Sequence, residues 1–152
     1  MKWVPLPIGV ENFEDLRENE YYYVDKTLFI KELIDMRGKV NLFTRPRRFG
    51  KTLNMSILRY FFDRENPDSD ELFAGTKIMS AGEAYLKHKG KYPVISVTLK
   101  SMKQATYEDA FYCLKEEIAT KYRRHDRIMS SLPYEADREK YLRIIEIGRA
   151  HV

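Results

Sequence analysis

The stretch Val40 to Thr52, VNLFTRPRRFGKT, constrains this chain more than any other. Its apolar start predicts a short strand, its middle is a basic turn closing on one glycine, and Lys-Thr opens a helix. A phosphate-binding loop requires that order, because N–H groups at a helix start attract anions and glycine lets the main chain come close. The pattern for nucleoside triphosphates is G-x-x-x-x-G-K-[ST]. Gly50, Lys51 and Thr52 supply its second half, while Arg45 fills the first glycine position. Lys51 is expected to bridge the β- and γ-phosphate oxygens, and the Thr52 hydroxyl to ligate Mg²⁺.

Arg45, Arg47 and Arg48 admit two readings. They add positive potential for a triphosphate or a nucleic acid, since arginine favours bidentate phosphate contact. Alternatively they form a solvated basic turn paired with acids elsewhere. Pro46 stiffens the turn either way.

The 152 residues, 43% hydrophobic and 33% charged, suffice for one globular domain and hardly for two. The net charge of +4 is small against 27 basic and 23 acidic residues, so charge alone does not mark a nucleic-acid binder. Cys113 is the single cysteine, which excludes an intrachain disulfide. With no secretory pattern at the start and no apolar run long enough to span a bilayer, the expected location is the cytoplasm, away from membranes.

Helical spacing predicts a short helix after Asn12 and another over Thr27 to Met36, capped by Asp25 and ended by Gly38. Between them, Tyr21 to Val24 reads as a strand-like aromatic run. A strong helix is expected over Thr52 to Phe62, and a helical turn anchored by Leu72 and Phe73 within Glu71 to Ile78. Tyr85 and Leu86 close another short helix. Pro93 to Leu99, PVISVTL, predicts a strand covered on both faces. Thr106 to Tyr122 predicts an amphipathic helix with Tyr107, Ala110, Phe111, Leu114, Ile118 and Tyr122 on its apolar side, and a last helix follows Pro133 from Glu135 to about Ile145. Strands alternating with helices imply an α/β chain with a mainly parallel sheet. Two convincing strands are few for such a sheet, which normally has about five.

The end of the chain, Glu146 followed by IGRAHV, resembles the translation of a common sequencing-adapter oligonucleotide. Residues 146–152 are therefore expected to be a non-native tail, leaving 1–145 as the N-terminal part of a longer protein.

Several segments carry a family resemblance: YYVDKT ending at Thr27, FTRPRRFGKT ending at Thr52 with LNMSILRYFF after it, ELFAGTKI, and GKYPVISVTLK. Their order over roughly Pro7 to Tyr141 is similar to that of the bacterial and archaeal AAA-ATPase-like family, whose loop reads RPRRFGK[ST]. The resemblance makes Arg45 the family's own variant. It implies an incomplete P-loop NTPase three-layer sandwich, cut before the acidic Walker B strand and often followed by a PD-(D/E)XK nuclease-like domain. It also implies ATP and Mg²⁺ as ligands, with Arg45, Pro46, Arg47, Arg48, Phe49, Gly50, Lys51 and Thr52 forming the variant Walker A loop. Lys51 is the expected catalytic residue and Thr52 the metal ligand. Because no apolar run after Pro93 ends in Asp-Glu, hydrolysis is expected of the full-length protein and not of this part. Nucleic acid is an expected partner through a further C-terminal domain.

Asp25 and Lys26 either cap a helix and sit in solvent, or fold back beside the nucleotide. His88, His125 and His151 lack metal-ligand spacing and read as surface residues. Cys113 reads as a small packed hydrophobe. The basic run Lys121 to Arg127 suits a helix C-terminus or a nucleic-acid patch. ATP binding is the leading expectation. The alternatives are a nucleic-acid-binding or nuclease-associated module using the arginine turn, and a nucleotide-gated interaction switch that does not hydrolyse.

Overall fold

A computed structural model describes residues 3–44, 46, 49–66 and 69–147. The chain divides into two compact units, Met1–Val94 and Ile95–Val152.

In the first unit, α1 (Phe13–Glu18) starts where the Asn12 side chain accepts the Glu14 N–H at 3.4 Å. α2 (Leu28–Met36) ends at Arg37, which takes the left-handed conformation at φ +50° in place of the expected Gly38. α3 (Lys51–Phe62), α4 (Ser69–Phe73), a 3₁₀ turn at Lys77–Ser80 and α5 (Glu83–Leu86) complete the unit. These helices bury one cluster containing Phe13, Ile30, Ile57, Phe61, Phe73 and Ile78, each fully shielded from solvent. Phe73 is its hub, with ring centroids 5.0 Å from Phe13 and 5.5 Å from Phe61. Polar bonds fix the helix packing where side chains meet backbone. The Phe13 N–H donates to Ser56 Oγ at 2.9 Å, and the Arg17 guanidinium donates to the carbonyls of Leu72 and Ala74 at 2.9 and 2.7 Å. Leu72 and Phe73 are the buried anchors that the sequence predicts.

In the second unit, α6 (Tyr107–Arg124) begins at Thr106, whose Oγ1 accepts the Asp109 N–H at 3.1 Å. A 3₁₀ turn at Asp126–Ser131 leads to α7 (Glu135–Glu146). Tyr141 joins the two helices: its buried ring lies 4.9 Å from that of Tyr122, and its hydroxyl is 2.6 and 2.7 Å from the Tyr122 and His125 carbonyls.

The expected α/β sandwich is not what forms. The described residues are helical and contain no sheet; their only β pairing is an isolated parallel bridge between Asp63 and Tyr92. The two apolar runs expected to be strands, 40–43 and 93–99, form no strand among the described residues, and Val40, Leu42, Ile95, Val97 and Leu99 are exposed. β-branched residues favour an extended backbone, but a strand is stable only when a neighbour accepts its N–H groups and covers its faces. Neither run is joined to a sheet among the described residues; the Thr98 N–H donates to the Glu117 carboxylate at 3.5 Å and not to a strand. The aromatic run at 21–24 is likewise not a strand: Tyr22 donates its N–H to the Pro5 carbonyl at 2.8 Å, while Tyr23 packs on the core. The apolar side of α6 is largely uncovered too, since Tyr107, Phe111 and Ile118 are exposed and Ala119 is the fully buried residue.

Candidate functional site at the start of helix α3

Gly50 precedes α3 at φ +69°, ψ +23°. A Cβ there would meet nothing within 4 Å among the described residues, and the left-handed backbone itself favours glycine. The Gly50 carbonyl accepts the Asn54 N–H at 2.9 Å and closes the first turn. No acidic side chain lies in that turn, so the helix itself supplies no carboxylate against its positive end.

Beside this helix start lies a cavity of about 590 Å³. Lys51, Asn54, Met55 and Leu58 form one wall, at the i, i+3, i+4, i+7 spacing of a single helix face. Leu28, Phe29 and Glu32 of α2, with Lys26 just before it, form a second wall. Asn41, Phe43 and Phe49 complete the lining. Asn41 is held by Gly38: its amide donates to the Gly38 carbonyl at 3.2 Å, and its Oδ1 would stand 2.9 Å from any Cβ at that position. Close approach of the Asn41 side chain, and not the left-handed conformation that ends α2, is what glycine accommodates there.

The expected site residues are partly gathered here. Phe49 and Lys51 line the cavity, and Gly50 lies between them. Thr52 is exposed and is not among the described lining residues; Pro46 is also exposed. Arg45, Arg47 and Arg48 lie outside the described residues. Lys26 joins Lys51 at the cavity, and its neighbour Asp25 does not. One Asp25 oxygen accepts the Thr27 N–H and hydroxyl at 2.8 and 2.7 Å, and the other accepts the Lys77 N–H at 2.7 Å. Partial burial acts to raise the Asp25 pKa, but these bonds and the Lys77 charge hold it below the ordinary carboxylate value. Thr27 Oγ1, fully buried, accepts the Ile78 N–H at 3.1 Å and closes the same joint. Nearby Tyr23 is pushed up to about 12, chiefly by burial.

The sequence reading missed Glu32, Asn41, Asn54 and Met55 as cavity residues. The signal for Asn54 and Met55 was available in their helical spacing from Lys51. Glu32 and Asn41 carry no such mark, because only packing brings α2 and the unpaired segment to α3. Among the described residues, no group of histidines, cysteines and acids could hold a metal ion. No described helix is long and apolar enough to cross a membrane.

A glycine-started helix with a lysine in its first turn, beside a mixed apolar and basic cavity, defines a class of site suited to an anion carrying an apolar or aromatic body. The family follows from comparison: a family model described as "Predicted AAA-ATPase" matches residues 7–149, and the chain belongs to this AAA-ATPase-like family. Membership is consistent with ATP binding in the general sense. An uncharacterised protein in the vnfD 5′ region of Azotobacter chroococcum mcd 1 is 37% identical over 94 residues, covering 61% of this chain. The chain spans only 16% of that relative's length. No solved structure matches it.

Proposed function

We propose that the chain binds ATP, with the triphosphate at Gly50 and Lys51 and the nucleoside in the adjoining cavity. The observation that carries this reading is the presence of Lys51 on the wall of a 590 Å³ cavity, a volume in the usual range for small-molecule sites. Phe29, Phe43 and Phe49 supply aromatic surface for a base, and Asn41 and Asn54 offer amides for its polar edge. Lys51 supplies a compact cation to the phosphates. Arg45, Arg47 and Arg48, in the turn before Gly50, belong to the same proposal as further phosphate contacts.

Mg²⁺ fits this donor set as a phosphate-borne ion. It usually keeps several waters and takes few protein ligands besides substrate phosphate. The exposed Thr52 hydroxyl, next to Lys51, offers one hard oxygen, and Glu32 is the carboxylate among the described lining residues. When bound, the ion would neutralise phosphate charge. Within a longer protein the same loop is proposed to serve Mg²⁺-dependent hydrolysis.

Titration calorimetry of the chain with ATP and Mg²⁺ tests the reading. Lys51→Ala is expected to weaken binding at least tenfold, about the loss of one charge-assisted contact. Equal affinity in the variant overturns the assignment. Salt-dependent DNA binding that survives Lys51→Ala and is lost on changing Arg47 and Arg48 would favour the nucleic-acid alternative.

A further inference from the structure

We propose that Lys26 is a second phosphate-binding cation, contributed to the cavity from the turn before α2. This rests on the nucleotide reading of the cavity and deepens it: one lysine comes from each of two chain segments, and both grip the polyphosphate.

The first support is placement. Lys26 and Lys51 stand 25 positions apart in the sequence and line the same cavity. The second is that the backbone carrying Lys26 is held on both sides. Asp25 bonds to the N–H of Lys77, and the hydroxyl of Thr27 accepts the N–H of Ile78. The Lys26 N–H donates to the Tyr23 hydroxyl at 3.4 Å, and its carbonyl accepts the Phe29 N–H at 3.0 Å. Both flanking side chains are therefore used in structure, while the Lys26 side chain is left toward solvent and the cavity.

The third support is the state of its charge. The Lys26 ammonium makes no hydrogen bond or ion pair among the described residues. Lys31, a little over one turn further on, is bound to Asp35 at 2.8 Å and lies over the Tyr85 ring. Lys89 is paired with Asp70, and Lys121 with Glu117 at 3.1 Å. Glu32 is the opposing charge on the described lining, so Lys26 and Lys51 leave it with a net positive charge. Phenylalanine on the same walls lowers the local dielectric constant below that of water and strengthens the attraction for a multiply charged anion. Lys26 adds a cation from a second chain segment to those proposed in and after the turn before Gly50, so that the polyphosphate is met from two walls of the cavity.

The test compares adenosine, ADP and ATP binding by calorimetry in the unsubstituted chain, Lys26→Ala and Lys26→Arg, with circular dichroism checking that each variant folds. The expected result is an ATP affinity about tenfold weaker in Lys26→Ala, unchanged adenosine affinity, and substantial recovery in Lys26→Arg. Lys26→Gln serves if the alanine variant fails to fold, because it keeps the stem and removes the charge. ATP affinity unchanged in Lys26→Ala but lost in Lys51→Ala overturns the inference and leaves the nucleotide reading standing. Equal losses for adenosine and ATP also overturn it, since they point to cavity packing. Failure of the unsubstituted chain to bind ATP overturns the nucleotide reading itself, and the inference with it.

Discussion

The carboxylate of Asp25 accepts the backbone N–H of Lys77 at 2.7 Å, across 52 positions of sequence. With Thr27 and Ile78 beside it, this bond ties the turn before α2 to the 3₁₀ turn after α4. A residue that reads locally as a helix cap is instead a tertiary fastener, since Thr27 occupies the N-cap position of α2. It sets the position of Lys26, its neighbour on the cavity wall.

Asp25→Ala is expected to destabilise the first unit by about 2 kcal/mol, the loss of hydrogen bonds to a charged group. The sign with pH follows from its lowered pKa. Its contribution is fully present above the unfolded value and is lost as pH falls through the folded value. Urea unfolding at neutral pH should separate the variant from the unsubstituted chain, and the difference should shrink in acid below about pH 4. A difference that grows in acid would contradict this role.

Gly50→Ala is expected to cost about 1 kcal/mol through the positive φ alone, because open space surrounds the added methyl. Gly50→Asn should recover part of that loss, since asparagine visits the left-handed region more readily. Thermal melts of the three chains check the order. If Gly50→Ala is as stable as the original, the left-handed turn is not what α3 starts from.

Phe73→Ala should cost roughly 3–5 kcal/mol, as truncation of a fully buried aromatic usually does. The loss should also disorder the ring contacts with Phe13 and Phe61. Aromatic side-chain NMR shifts of those two residues, read alongside urea unfolding, measure both effects. Tyr107→Ala on α6, at an exposed residue, serves as the control and should change stability by less than about 0.5 kcal/mol.

Several elements were legible from local pattern. α3 begins at Lys51 and runs to Phe62, as the apolar spacing after Gly50 requires. Asn12 caps its helix with its own side chain as its position suggests, whereas Thr106, read as the first helical residue, is the cap of α6; each contact spans only two or three residues. The strand readings failed for the opposite reason. Val40 to Phe43 and Pro93 to Leu99 have strand composition, but a sheet depends on partners that no single run contains. Asp25 read as the cap of α2, but the N-cap is Thr27, and Asp25 instead accepts from Thr27 and from the Lys77 N–H, a partner that nothing in either segment marks.

By itself the sequence determined which segments are helical to within a residue or two at their ends, which residues could anchor a core, and that a basic turn leads into Lys51. Those features depend on contacts within a turn or two of the chain. Only the tertiary structure decided that the apolar runs join no sheet among the described residues, that α2 and α3 share a cavity, and that Lys26 stands with Lys51 on its walls. Such contacts join segments tens of residues apart, and bringing them together carries a loop-closure cost that only the packing of the whole core offsets. The local code therefore reached the cation at Gly50-Lys51-Thr52, and packing supplied its surroundings.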